Sequence, residues 1–307
     1  MRSLSIDILK IILAAFVVCL HMHIFRDSFP SASYVLVNGL FRIGVPVFLI
    51  ISGYFFFFID DISRLKKWAV RILLLYIIWS AAYFPFWKED DHYFLNILFG
   101  YHHLWYLIGT FFAGLLLFTV RKIPVKMLAG LILLFFCSGY AIQYLANSHY
   151  FSGDLDVLLN LFPTYRNFLF VCFPFLGIGF LIKKLGIDVR QKPSVFWMLI
   201  SVGLVMVEAF LNAKVFNLNQ KESVDLLFSL LIACPVLFLY AKNITVKTDS
   251  KILASISTAI YLIHPLLIEL VYKSNMLISF QNIIFIVLLL IGSLILVFVN
   301  RKVKYLL

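Results

Sequence analysis

Lys10 and His21 stand eleven positions apart in an otherwise apolar run, SIDILKIILAAFVVCLH. At 3.6 residues per turn this is about three turns plus 20°, so both fall on one helix face, about 16 Å apart along the axis. Asp7 lies on the same stripe, and an Asp7–Lys10 pair at i,i+3 lowers the cost of burying either charge. Histidine, with an ordinary pKa near 6.5, can stay neutral and accept a proton, which suits a general base. A second reading stands beside each: Lys10 is close enough to a helix end to snorkel, and His21 can be a hydrogen-bonded structural imidazole. His23 is about 200° further round, so the HMH string does not put two metal ligands on one face.

Further ionisable groups interrupt apolar runs downstream, where each costs about 2.5–3.5 kcal/mol to bury in a bilayer. Arg42 precedes GVPVFLIISGYFF and sits either at an interface or in a polar cavity. Arg64, Lys66 and Lys67 open another run, with Arg71 a turn deeper, a countercharge for a phosphate-bearing ligand or a membrane anchor. His102, His103 and Trp105 begin HHLWYL, which also suits an interfacial aromatic belt. YLIHPLLIEL carries His264 and Glu269, and Glu208 lies in a separate run; these carboxylates suit a proton or ion pathway as well as an enzyme.

These residues need membrane helices to position them. The 307 residues are 63% hydrophobic and 13% charged, with a mean hydropathy of +1.00, a balance that excludes a water-soluble domain. Apolar runs at about 5–25, 36–59, 67–87, 104–121, 125–146, 166–183, 194–212, 224–241, 251–273 and 281–300 predict an all-α integral membrane protein of about ten transmembrane helices in a lipid bilayer. The first run has no small-residue cleavage site, so it reads as a helix and not as a signal peptide. Pro46, Pro174, Pro235 and Pro265 within the runs mark kinks. Lys and Arg concentrate in alternate connections, from Arg64, Lys66 and Lys67 to Arg301, Lys302 and Lys304, while Glu89-Asp90-Asp91 and isolated cations such as Lys221 fall in the others. The positive-inside rule then places both termini in the cytoplasm, which requires an even helix count. The net charge of +11 is spread over helix ends, a topology signal and not a nucleic-acid site. Cys19, Cys137, Cys172 and Cys234 show no metal or redox spacing, and the chain reads as one integral-membrane domain over residues 1–307.

Four features, in order, resemble the acyltransferase 3 family of membrane-bound bacterial O-acyltransferases: Lys10 and His21 with ten residues between them, GVPVFLIISGYFF, HLWYL, and YLIHP. The resemblance covers nearly the whole chain. It implies transfer of an acetyl group from acetyl-CoA, with no metal, to a sugar hydroxyl of a cell-surface polysaccharide or its lipid-linked precursor in the bacterial inner membrane. On this reading His21, with Lys10 and Asp7, is catalytic; Arg71, Lys67 and Arg64 meet the donor; and Arg42, His103, Trp105, His264 and Glu269 meet the acceptor. One position departs from the family pattern: where paired arginines three apart are usual, this chain has Trp68 and Arg71. The chain resembles the short members that lack an appended esterase-like domain. The rival from another class is a proton-coupled transporter or flippase of a lipid-linked sugar, and a purely structural subunit is disfavoured by the number of buried charges. The sugar, the hydroxyl, the acyl length and the oligomeric state are not legible.

Overall fold

The computed structural model describes residues 2–90, 93–215, 223–248, 250–273, 278–303 and 305–307. Asp91, Lys221 and Lys304 lie outside the described residues. The helices are α1 (Leu4–His21), α2 (Pro30–Val37), α3 (Gly44–Phe56), α4 (Ile62–Trp87), α5 (Tyr93–Phe99), α6 (Trp105–Val120) and α7 (Val125–Asn147). There follow α8 (Asp154–Leu159), α9 (Phe173–Lys184), α10 (Ile187–Arg190), α11 (Val195–Lys214), α12 (Leu230–Asn243), α13 (Ile252–Tyr272) and α14 (Ile278–Val299). Among the described residues, eight helical stretches are long and apolar enough to cross a bilayer. The chain is an all-α membrane protein. Among the described residues the one β element is a two-residue antiparallel pairing of Arg2–Ser3 with Lys247–Thr248.

Two expected spans are shorter than hydropathy suggests. The 166–183 run forms a π-helical turn, Phe168–Cys172, before α9. The 224–241 run has no regular structure until a turn at 228–229 leads into α12, which has 14 residues. The 36–59 run is broken as well: α2 stops at Val37, and a 3₁₀ turn, Leu40–Ile43, leads into α3. Helix one ends at His21, four residues before the expected boundary, so His23 lies in a turn at φ 46° and its exposure does not come from helical phase.

The breaks are tolerated because side chains take over the freed backbone groups. Val224 N–H donates to Asn38 Oδ1 (3.1 Å), and Asp225 and Leu226 N–H both donate to Gln143 Oε1 (2.7 and 2.8 Å). Gln143 Nε2 returns a bond to Leu226 O (2.8 Å). Glu208 accepts from the N–H groups of Phe228 (2.8 Å) and Ser229 (2.7 Å) at the start of α12. A carboxylate there offsets the unpaired donors and positive end of the helix, so Glu208 has a structural partner set.

The core is built where α3 lies along α9. A Cβ on Gly53 would sit 1.9 Å from Leu176 O, and one on Gly179 would sit 2.1 Å from Ile50 O, so glycine at both positions lets the backbones touch. Cation-rich connections gather at one end of the bundle. Arg121 Nη2 donates to Asp60 O (3.0 Å), Lys184 Nζ to Arg121 O (2.9 Å), Asn243 Nδ2 to Gln191 O (3.0 Å) and Ser5 Oγ to Ile244 O (2.9 Å).

Candidate active site

Four histidines from three parts of the chain meet at the end of α1. The His21 ring centroid lies 5.2 Å from that of His264 on α13 and 6.0 Å from that of His102, in the 3₁₀ turn His102–Leu104 before α6. His103 stacks 5.2 Å from His264 and 5.0 Å from Tyr261. The split of the His102-His103 pair is forced by the backbone. Gly100 (φ 88°) leaves room for Trp105 N, 2.6 Å from where a Cβ would stand, and His102 adopts φ 47°, rare for a residue with a side chain.

The His264-Pro265 dipeptide sets the state of one ring. Proline has no N–H, so Tyr261 O, four residues earlier, loses its helical donor. His264 Nδ1 fills that place, 2.8 Å from Tyr261 O, with Ile260 O 3.1 Å away. A ring that donates through Nδ1 keeps Nε2 as its acceptor. His264 is fully buried, and Nε2 has no hydrogen-bond partner among the described residues. Tyr83 holds the kink open: its hydroxyl donates to Leu262 O (2.7 Å) and accepts from Leu266 N (3.1 Å).

Cavities approach the cluster from opposite ends of α4, which at 1.5 Å per residue is about 39 Å long. One, of about 340 Å³, runs from Ile59 and Trp68 past Lys10 to Tyr106 and Tyr261, whose rings are 5.6 Å apart. The other, of about 660 Å³, is walled by Glu89, Asp90, Gly100, Tyr101, His102 and Phe162. Lys10 is half-buried at the first cavity, and its carbonyl accepts from Ser257 Oγ (2.8 Å), tying α1 to α13. Asp7 is buried in the first turns of α1.

The remaining expected residues divide. His103 and Trp105 are buried and do not lie in an exposed belt. Trp105 lines a third cavity of about 340 Å³ with Phe99 and Arg166. Glu269 pairs with Lys273 (2.6 Å) near the end of α13 and acts electrostatically on His102. Arg71 and Lys67 are exposed. On the helix surface Arg71 lies about 60° from Trp68 and 40° from Leu75, both of which line the Lys10 cavity. Arg64 pairs with Asp60 (3.0 Å) and Asp61 (3.3 Å) at the start of α4, where its N–H donates to Asp61 Oδ1 (2.8 Å) and holds that carboxyl below its ordinary range. Trp68 stacks edge-on against Phe56 at 4.9 Å. Gly114 makes room for it, since a Cβ there would be 2.0 Å from the Trp68 ring.

Arg42 is buried and ion-paired with Asp225, and its Nη2 donates to Asn38 Oδ1 (3.1 Å). Arg166 binds the other oxygen of Asp225 through Nε (2.6 Å) and Nη2. Arg42 and Arg166 both act electrostatically on His21. Asp225 and Arg166 were not among the expected site residues. They stand at the starts of runs that read as plain helices, and the one available signal was a charge at each run's edge. Among the described residues no group of three or more His, Cys, Asp or Glu is arranged to hold a metal ion.

Two curated proteins are similar to this chain. An amino-acid racemase of Enterococcus faecalis is 27% identical over 305 residues, covering 89% of this chain and 42% of that protein. A serine/alanine racemase of Enterococcus gallinarum is 23% identical over 291 residues, covering 86% and 41% respectively. The chain thus spans about two fifths of the length of the curated relatives it matches. No solved structure matches it. A family model described as an acyltransferase domain matches residues 3–300, nearly the whole sequence, and the chain belongs to the acyltransferase 3 family.

Proposed function

We propose that the chain is a single-domain O-acetyltransferase of the bacterial plasma membrane that moves an acetyl group from acetyl-CoA to a sugar hydroxyl of a cell-surface polysaccharide or its lipid-linked precursor. The observation that carries this is the histidine cluster between two cavities reached from opposite ends of α4. The donor enters at the cation-rich end, taken as cytoplasmic together with both termini. Its phosphates meet Arg71, Lys67 and Arg64, and its thioester passes Lys10. The acceptor enters the His102 cavity from the other side, where Arg42, His103, Trp105, His264 and Glu269 shape the site.

His21 removes the acceptor hydroxyl's proton, with Lys10 and Asp7 completing its stripe. The oxygen attacks the thioester carbonyl, the C–S bond breaks, and the proton passes to the departing CoA sulfur. His264, with Nε2 free, stands beside His21 to relay that proton. The racemase names belong to proteins of which the matched stretch is about two fifths, and no racemase activity is carried over. Transport is the second reading, favoured by the broken α2–α3 segment and the non-helical stretch before α12. Mass spectrometry of surface glycans from a strain lacking the chain separates the two. Loss of an acetyl increment on intact glycan supports transfer; loss of the glycan with acetylation unchanged on the remainder supports transport.

A further inference from the structure

The Arg42–Asp225–Arg166 group carries two cations on one carboxylate, and its Arg166 member lines the Trp105 cavity. Arg42 is 92% buried, and its Nε has no hydrogen-bond partner among the described residues. Arg166 spends Nε and Nη2 on Asp225, leaving Nη1 without a described partner. Its guanidinium lies 4.6 Å over the Phe162 ring, a wall of the His102 cavity, and it lines the apolar cavity of Trp105 and Phe99. Phe99 is shared by both cavities. An ion pair that only fastens the chain break needs one arginine. A second one, in a low-dielectric site, is an uncompensated charge that an incoming anion neutralises.

We infer that the Arg42–Arg166 pair is a subsite for an anionic group, a carboxylate or phosphate carried by the acceptor, with Arg166 making the direct contact. This rests on the proposed transfer to a sugar hydroxyl and narrows its acceptor to an acidic sugar or a sugar phosphate. Arg166 offers the planar fork that suits either group. Asp225 limits the site to one net positive charge, and His21 is within electrostatic reach of both arginines. The anion therefore binds where its charge acts on the base.

The test is equilibrium binding to the purified full chain in detergent at constant ionic strength, with three probes: glucose, glucuronate and glucose 1-phosphate. At least one anionic probe is expected to bind tenfold or more tighter than glucose, and the favoured probe tells carboxylate from phosphate. Arg166→Gln should erase that preference, so that the variant binds the anionic probes no more tightly than it binds glucose. If Arg166→Gln does not fold, Arg166→Lys, which keeps the charge but loses the fork, should weaken the anionic probe several-fold. Equal binding of all three probes, no binding of any, or a preference that survives both substitutions overturns the inference. Acetyl transfer from labelled acetyl-CoA, measured separately on wild type, keeps the two claims apart. Transfer without anion preference sinks the subsite alone, and anion preference without transfer sinks the transferase reading alone.

Discussion

Asp225→Asn removes the one carboxylate between two arginines and should be among the most destabilising single substitutions in the chain. Arg42 and Asp225 have side-chain exposures of 8% and 9%, and Arg166 of 14%, so water cannot take over the lost charge. Removing one partner of a buried pair costs about 3–5 kcal/mol, because the remaining charge stays buried. Asparagine keeps one acceptor oxygen, which places the expected loss near 3 kcal/mol, a more than hundredfold change in the unfolding constant. The assay is equilibrium unfolding in mixed micelles titrated with SDS. Asp154→Asn, at an exposed carboxylate, serves as control and should stay within about 0.5 kcal/mol of wild type. Adding Arg166→Gln to Asp225→Asn should recover part of the loss, because it removes one of the stranded cations. A loss no larger than that of Asp154→Asn, or strict additivity in the double variant, would refute the electrostatic account of the break.

Three other outcomes follow from the same geometry. Gly53→Ala should destabilise by about 3 kcal/mol or more in that assay, because its Cβ would meet backbone oxygen 1.9 Å away, whereas Gly203→Ala, in open space on α11, should be neutral or mildly stabilising. His264→Ala should lower kcat for acetyl transfer more than tenfold with little change in KM for acetyl-CoA, and His23→Ala, exposed in its turn, should leave kcat within about threefold. Arg71→Ala should raise the apparent KM for acetyl-CoA about tenfold, the equivalent of one charge-assisted contact of roughly 1.4 kcal/mol, while Lys122→Ala, in the connection between α6 and α7, should leave it unchanged.

Helix type and rough placement were legible because a bilayer demands long apolar runs and little else. The meeting of His21, His103 and His264 was legible as three suspicious side chains, each costly in its run, although nothing in the sequence showed that they touch. Helical phase was reliable where the helix continued, as from Lys10 to His21, and failed at His23, where the helix had already stopped. The breaks were hidden because hydropathy averages over a window and scores a non-helical buried segment like a helix. Arg166 and Asp225 are 59 positions apart, and Arg42 and Asp225 are 183 apart, separations that no local period can connect. The Tyr261 carbonyl left open by Pro265 could have been derived from YLIHP alone, since proline always frees the acceptor four residues before it.

The central claim is that His21 takes the acceptor's proton. It is tested most directly by acetyl transfer from labelled acetyl-CoA in proteoliposomes holding matched amounts of wild type and His21→Ala. The account predicts a fall in turnover of about a hundredfold or more, with expression, insertion and donor binding unchanged. Turnover within about threefold of wild type would contradict it.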